Sequence, residues 1–374
     1  MSGRTDHAFM DMAYGLAAKA AGLTSPNPAV GAVVVRRGVI VGWGYHARAG
    51  SPHAEIVALE KAGRRAKGAT LYVTLEPCVH WGKTPPCAEA VLAAGPARVV
   101  ISARDPNPVV HNKGIARLRE AGLDVSVGIL EERNRRLNES AVKFITRKMP
   151  FVTLKAAVSL DGKLAARSLD ARWISSAASR EYAHLLREDN DAVLIGAGTL
   201  IADDPLLTVR HPFRKGKAVT RIILDSKLRF PLSARILSTL DEGPVLIIAG
   251  EGASRRKAAL LRRKGAEVVV LPSPQGRPDL RAVLGELARR DIAALLVEGG
   301  RDIHTAFLER GQADKVLLVV APLLLGGRDA PGLFEGRGAP RIADGIRLAE
   351  PRFFSIGEDL VVEGYPSCSQ ASSL

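Results

Sequence analysis

Cysteine is almost missing from this chain. Three residues in 374, Cys78, Cys87 and Cys368, are too few for a disulfide framework and fit the reducing cytoplasm. Cys368 lies in a Ser-rich tail, SCSQASSL, that reads as a frayed terminus. Long apolar runs are missing too. Nothing approaches the roughly 18 consecutive apolar residues of a membrane span, and the longest stretches, such as 316–322, read as buried strands. The opening MSGRTDHAFMDMAYGLAAKAAG has no basic segment leading into an apolar one; its apolar residues recur at helical spacing, so a helix is expected there and not a signal peptide. Acidic residues are in deficit, 39 against 53 Lys and Arg, for a formal net charge of +14. That balance implies anionic partners, either nucleic acid or phosphorylated small molecules, or simply a solvated basic surface. Aromatics make up 5% of the chain, and the basic residues are scattered over helical segments (GRRAK, RLRE, RRKAALLRRKG), which argues against a nucleic-acid groove.

What is present is a globular composition, 47% hydrophobic and 25% charged, long enough for two domains with a core each. After the first helix, residues 29–41 predict two short strands around Arg36-Arg37-Gly38. A helix opens at Pro52-His53-Ala54-Glu55. Strands at 70–75, 99–103 and 125–128 then alternate with helices at 87–94 and 115–120, the rhythm of parallel strands in a three-layer α/β sandwich. Residues 131–147 are highly charged and Pro150 breaks the pattern, which places the boundary between domains of 1–147 and 150–374. The second half restarts with a strand at 152–159 and a helix near 179–188. Strands follow at 192–195, 221–224, 245–249, 268–271, 294–297 and 315–320, with helices at 255–264 and 280–289 and a last pair of strands around 353–363. This is a second α/β domain unlike the first.

One constellation carries chemistry. Catalytic zinc needs three protein ligands and an open position for water. His53, Cys78 and Cys87 supply an imidazole and two thiolates, and Glu55, two residues from His53 at a helix start, points elsewhere and can reach a bound water as the proton-shuttling catalytic residue. Cys78 follows a strand and Cys87 opens a helix, where the dipole favours thiolate. A structural zinc site closed by His80 is the competing reading. Asn27 and the run Asp105-Pro106-Asn107-Pro108 read by themselves as turn residues, and His80 as either ligand or substrate contact.

His53-Ala54-Glu55 with Pro77-Cys78 resembles the signature of zinc deaminases acting on cytosine- or adenine-like rings. Eight residues separate the two cysteines where that general signature has two. The insert Val79-His80-Trp81-Gly82-Lys83-Thr84-Pro85-Pro86 is similar to that of the riboflavin-pathway deaminase-reductase family. Thr24-Ser25-Pro26-Asn27-Pro28-Ala29-Val30-Gly31, Gly44-Tyr45-His46, Arg48-Ala49-Gly50 and Asp105-Pro106-Asn107-Pro108 agree with it. The resemblance implies a cytidine-deaminase-like α/β/α first domain in which Asn27, His46, His80, Lys83, Asp105 and Asn107 contact an aminopyrimidine and its ribose phosphate.

The second half speaks more softly. Gly196-Ala197-Gly198-Thr199 is by itself a turn, while Glu298-Gly299-Gly300 at a strand end suits the approach of phosphate oxygens. Lys155, Ser159-Leu160-Asp161-Gly162, Trp173-Ile174, Ala202-Asp203-Asp204-Pro205, Leu207-Thr208-Val209-Arg210, Leu224-Asp225-Ser226 and Leu325-Gly326-Gly327 resemble the dihydrofolate-reductase-like half of the same family. That likeness implies NADPH contacts at Ala157, Trp173, Thr199, Asp203, Ser226 and Gly300, and substrate contacts at Arg187, Leu207, Arg210 and Glu298. It further implies a homo-oligomer that converts a phosphoribosylated pyrimidine, with Zn²⁺ and NADPH as cofactors and neither nucleic acid nor membrane as partner. Three positions depart from the pattern. Ala171 lacks a hydroxyl expected near substrate, Leu323 stands where a lysine is usual, and Asp302 sets a carboxylate near the expected pyrophosphate, to be repelled unless Arg301 neutralises it. A deaminase with a degenerate reductase half and a tRNA adenosine deaminase are the rival readings; the cysteine insert and the long second half speak against the latter.

Overall fold

The computed structural model describes residues 3–79, 86–212, 216–334 and 336–367. His80, Lys83 and Cys368 lie outside the described residues. The chain divides into two compact units, Met1–Lys148 and Met149–Leu374.

The first unit is built on a five-stranded sheet. Its order is β2 (Val39–Tyr45), β1 (Gly31–Arg36), β3 (Thr70–Leu75), β4 (Arg98–Ala103) and β5 (Asp124–Val127). The first hairpin turns at Arg37-Gly38, both with positive φ (51° and 79°), the geometry that matches strand twist in a two-residue turn. The β3, β4 and β5 strands run parallel, joined by α3 (Cys87–Ala94) and α4 (Lys113–Glu120), whereas β1 pairs antiparallel with both neighbours. The valine-rich strands place alternate residues on two apolar layers. Val34, Leu71, Val73, Val99 and Ile101 meet α2 (Ala54–Ala62), α3 and α4 on one face. On the other, Val33, Val35, Tyr72 and Val100 meet Met10, Ala13 and Tyr14 of α1 (Gly3–Ala18).

The charged stretch 131–147 forms two helices, α5 (Glu131–Leu137) and α6 (Glu139–Arg147), that belong to this unit. What holds them is polar. Asn134 Nδ2 donates to the Thr74 carbonyl at 2.6 Å, and Asn138 pairs with both backbone groups of Ala29, accepting from its N–H at 2.7 Å and donating to its carbonyl at 3.1 Å. Both asparagines are buried.

The second unit carries a nine-stranded sheet with seven parallel strands: β10 (Glu267–Leu271), β9 (Val245–Gly250), β8 (Thr220–Leu224), β7 (Ala192–Gly196), β11 (Ala294–Val297), β6 (Phe151–Ser159) and β12 (Lys315–Ala321). β14 (Asp359–Pro366) then pairs antiparallel with β12, and β13 (Leu348–Ile356) closes the edge. One face packs on α10 (Leu280–Ala288) and α11 (Arg301–Glu309). The opposite face packs on α8 (Ala197–Asp203) and α9 (Arg255–Arg263), and near β12 on α7 (Ala177–Asp189). The Gly196-Ala197-Gly198-Thr199 segment, expected as a turn, ends β7 and opens α8, with Gly196 as the extended residue that starts the helix. Among the described residues no helix is long and apolar enough to cross a membrane.

Candidate active sites

His53 is the extended residue before α2 (φ −70°, ψ 159°), its carbonyl accepting from Val57 N–H at 3.2 Å. Gly44 of β2 makes this possible: a Cβ there would lie 2.7 Å from the Ala54 carbonyl oxygen and 2.8 Å from Ala58 N, so only glycine lets the start of α2 rest on the strand. Cys78 follows β3 and Cys87 opens α3. The Cys78 carbonyl accepts from Ala88 N–H at 3.1 Å, and the Cys87 N–H points at the Cys78 sulfur, 3.4 Å away. Three separate segments thereby converge. His53 Nδ1 is 3.0 Å from Cys87 Sγ and 3.7 Å from Cys78 Sγ, and the three donor atoms lie within 4.8 Å of one another.

The Cys78 thiol is held down to about 4, chiefly by the hydrogen bond from Cys87 and further by His53, while that same bond and burial push Cys87 up. Hydrogen bonding to Cys78 raises His53. Two sulfurs and one imidazole form a donor set that zinc prefers, and with three protein ligands a fourth position stays available. Glu55 is 4% exposed, beside the Cys87 thiol; burial pushes its carboxyl up to about 7, a value suited to taking and returning protons near neutrality. The residues therefore fit Zn²⁺ with a general acid-base next to it.

Of the expected pyrimidine contacts, His46 is buried with its ring edge-on to His53, centroids 5.3 Å apart, and its Nδ1 against the Pro52 carbonyl at 3.2 Å. Burial lowers its pKa, favouring the neutral ring. Asp105 and Asn107 follow β4 on one loop, Asp105 Oδ1 accepting from Asn107 N–H at 2.8 Å, and the Asp105 charge is felt at His53. Asn27 is exposed on a turn, its N–H donating to the Thr24 carbonyl at 2.8 Å.

In the second unit several of the expected contacts, Ala157, Thr199, Ser226, Glu298 and Gly300, lie at or just beyond the carboxyl ends of parallel strands, where open α/β sheets bind ligands. Glu298 follows β11 directly, and Arg187 of α7 donates to it at 2.7 Å and to the Thr208 carbonyl at 3.2 Å. Lys155 of β6 is within their field, and burial lowers its pKa. Leu207 is buried with φ 55°, and Arg210 is exposed, its N–H donating to His184 Nδ1 at 3.3 Å. Gly300 opens α11 and donates to Thr199 Oγ1 at 3.1 Å. A Cβ on Gly299 would lie 2.8 Å from that of Ile303, so only glycine lets this turn pack against the first turn of α11. Asp203 ends α8 half-buried, its carbonyl accepting from Arg172. The Ser226 carbonyl accepts from Gly250 N–H at 3.0 Å, Ala157 is half-buried in β6, and Trp173 is 68% exposed under the Arg180 guanidinium. Ala157 lies near the end of β6, and Thr199, Ser226 and Gly300 lie just beyond the ends of β7, β8 and β11.

Asp302 is flanked by two guanidinium groups, Arg301 Nε and Arg277 Nη2, each 3.9 Å away. Arg277 was not foreseen, since it comes from the loop before α10. His184 and His304 also went unforeseen; His304 is 2% exposed, behind Lys155 and Val297, with Nε2 3.4 Å from the Val297 carbonyl.

Residues 150–362 match the RibD C-terminal domain family, and residues 3–103 match the cytidine and deoxycytidylate deaminase zinc-binding region. The chain is 45% identical over 358 residues to the riboflavin biosynthesis protein RibD of Aquifex aeolicus strain VF5, covering 96% of this chain and 97% of the relative. With that of Escherichia coli K12 it shares 38% identity over 366 residues, covering 95% and 98%. Among solved structures, Acinetobacter baumannii RibD (form 1) superposes with a TM-score of 0.86 at 36% identity, covering 97% of this chain and 99% of that one. The diaminohydroxyphosphoribosylaminopyrimidine deaminase/5-amino-6-(5-phosphoribosylamino)uracil reductase of Thermotoga maritima superposes with a TM-score of 0.82 at 35% identity, with the same coverage.

Proposed function

The chain belongs to the RibD family of riboflavin biosynthesis proteins, and on that premise we infer that it catalyses two reactions, one per unit. The first hydrolyses the 2-amino group of 2,5-diamino-6-(5-phosphoribosylamino)pyrimidin-4(3H)-one. The second reduces the ribosyl chain of the product with NADPH, giving 5-amino-6-(5-phosphoribitylamino)uracil.

The convergence of His53, Cys78 and Cys87 beside buried Glu55 carries this reading. His53, Cys78 and Cys87 would hold Zn²⁺, which when bound lowers the pKa of a water to make a nucleophile near neutral pH. Glu55 takes a proton from the attacking water and passes it to the ring nitrogen, then takes the remaining hydroxyl proton and passes it to the amino group, which leaves as ammonia. Asn27, His46, Asp105 and Asn107, with His80 and Lys83, read the pyrimidine edge and the ribose phosphate; amide, carboxylate and ammonium groups are the chemistry those features call for.

In the second unit NADPH, when bound, supplies the hydride. Ala157, Trp173, Thr199, Asp203, Ser226 and Gly300 are the residues assigned to hold it, and Arg187, Leu207, Arg210 and Glu298 those assigned to orient the sugar phosphate. Arg210, an exposed residue whose main-chain N–H donates to His184, carries a guanidinium suited to the phosphate. Asp302 is compensated by Arg277 and Arg301, which supports a working cofactor site.

The finer setting is also our reading. Sparse cysteine supports the cytoplasm. The scattered charge supports a small-molecule substrate without nucleic acid, and the exposed Phe353 and Leu360 of the edge hairpin support self-association. Purified full-length protein incubated with the diaminopyrimidine phosphate, with and without NADPH, tests the assignment by product mass. Unchanged substrate in both arms overturns it, and light scattering of the same sample reads the oligomeric state.

A further inference from the structure

A buried carboxylate at the end of β3 takes no part in the chemistry described so far. Glu76 is 3% exposed, one residue past Leu75 and two before the ligand Cys78. Both of its oxygens are saturated by main-chain donors of one distant segment. Oε2 accepts from Asp105 N–H at 3.1 Å and Asn112 N–H at 3.0 Å; Oε1 accepts from Gly114 N–H at 2.8 Å and Ile115 N–H at 3.1 Å. Its own N–H donates to the Ala103 carbonyl at 2.9 Å. Glu76 therefore brackets residue 104 from both sides and turns the chain out of β4 into the loop that carries Asp105 and Asn107. The same carboxylate neutralises the free N–H groups that begin α4, where a negative charge is favoured. The two segments are packed as closely as backbones allow. A Cβ on Gly114 would sit 2.1 Å from the Pro77 carbonyl oxygen and 3.2 Å from Glu76 Oε1.

We propose that Glu76 is a positioning residue for the deaminase: it fixes the 105–115 segment to the strand end that bears Cys78, so that Asp105 and Asn107 are held at a set place relative to the metal ligands. The proposal rests on the reading of Asp105 and Asn107 as pyrimidine contacts. A charged acceptor shared by four main-chain amides, those of Gly114 and Ile115 buried, is costly to lose, because the two buried amides would keep their burial without their partner. Gln offers one acceptor oxygen and turns an NH₂ towards N–H groups, so it cannot replace the carboxylate.

The test uses the full chain as Glu76→Gln, with Asp105→Ala and Asn107→Ala beside it. Expected for Glu76→Gln are a rise of roughly tenfold or more in the deaminase KM, a kcat changed far less, one zinc retained per chain and unaltered NADPH oxidation with the deaminated substrate. Amide hydrogen exchange should quicken at Asp105, Asn112, Gly114 and Ile115 while β3 and β4 stay protected. Unchanged KM and exchange overturn the proposal, and so does loss of zinc together with activity, which would mean that Glu76 acts through Cys78. If Glu76→Gln opens β3 and β4 as well, Glu76→Asp decides: a KM between wild type and the loss seen in Asp105→Ala supports the proposal, and a wild-type KM overturns it. If Asp105→Ala and Asn107→Ala leave KM unchanged, the reading of those two residues fails, and quickened exchange in Glu76→Gln would still locate the clamp.

Discussion

Arg187 closes on a single oxygen of Glu298. Its Nε and Nη2 both donate to Oε2, at 3.0 and 2.7 Å, and leave Oε1 buried without a partner among the described residues. A buried acceptor left open inside a site costs stability unless a ligand completes it. Glu298→Gln should therefore lower reductase kcat/KM by roughly a hundredfold, since Lys155 and Arg187 lose their counter-charge. Deamination by the same protein should stay within about twofold, since Glu298 belongs to the second unit and His53, Glu55, Cys78 and Cys87 to the first. NADPH oxidation and ammonia release, measured on one preparation, check both halves of the statement.

Glu55→Gln keeps the shape of the deaminase site and removes its proton carrier. Deamination should fall by about 10²–10⁴, the usual worth of a positioned general acid-base. Zinc content by metal analysis should be unchanged, because His53, Cys78 and Cys87 remain. Activity within tenfold of wild type would mean that another group moves the protons.

Removing the metal should separate the two reactions. Dialysis against a strong chelator is expected to abolish ammonia release and to leave NADPH-dependent reduction of the deaminated substrate intact. Added Zn²⁺ should restore the first activity, since the three donor atoms are already gathered within 4.8 Å.

His304 gives the protein a pH-dependent stability. Burial lowers its pKa to about 4, so the folded chain resists a proton that the unfolded chain accepts near the ordinary value of 6.5. Between those values the unfolded state binds more protons, and stability is lost as pH falls from about 6.5 towards 4. The contribution is at most about 3 kcal/mol. The midpoint of urea unfolding should drop more between pH 7 and pH 5 in wild type than in His304→Leu. His184, lowered likewise to about 4, adds slope of the same sign in both proteins.

Arg277 should matter only to the cofactor. Its contact with Asp302 is long and exposed, so Arg277→Ala is expected to raise KM for NADPH by about two- to fivefold, less at high salt. Asp302→Ala in the same background should bring KM back. Failure of that rescue would show that Arg277 does not act by compensating Asp302.

The zinc site was legible because its chemistry sits in short segments bounded by clear signals: His-Ala-Glu at a helix start, Pro-Cys after an apolar strand, a second cysteine opening a helix. Strands such as β3 and β7 were legible for a similar reason, since runs of Val, Ile and Leu bounded by Gly or Pro have few other places to go. Polar residues with buried roles were not. Asn134 and Asn138 look like solvated positions in a charged stretch, and their partners are main-chain groups far away in sequence. Arg221 opens a strand expected as apolar, and it is 1% exposed and donates to the carbonyls of Leu206, Thr239 and Gly243. Hydropathy sees the charge and not the ring of carbonyls that neutralises it. Glu76 was hidden in the same way.

The pairing of Asn138 with Ala29 bears on how a gene for this protein can be divided. Just before β1, the asparagine amide is a stand-in for one more residue of strand, bonded to main chain two positions from Asn27. A coding sequence stopped after Gly128, where β5 has ended and the sheet is complete, would still encode every zinc ligand and Glu55. It would also leave the Ala29 amide and carbonyl without their peg, and with them the loop that presents Asn27. The useful cut falls after α6.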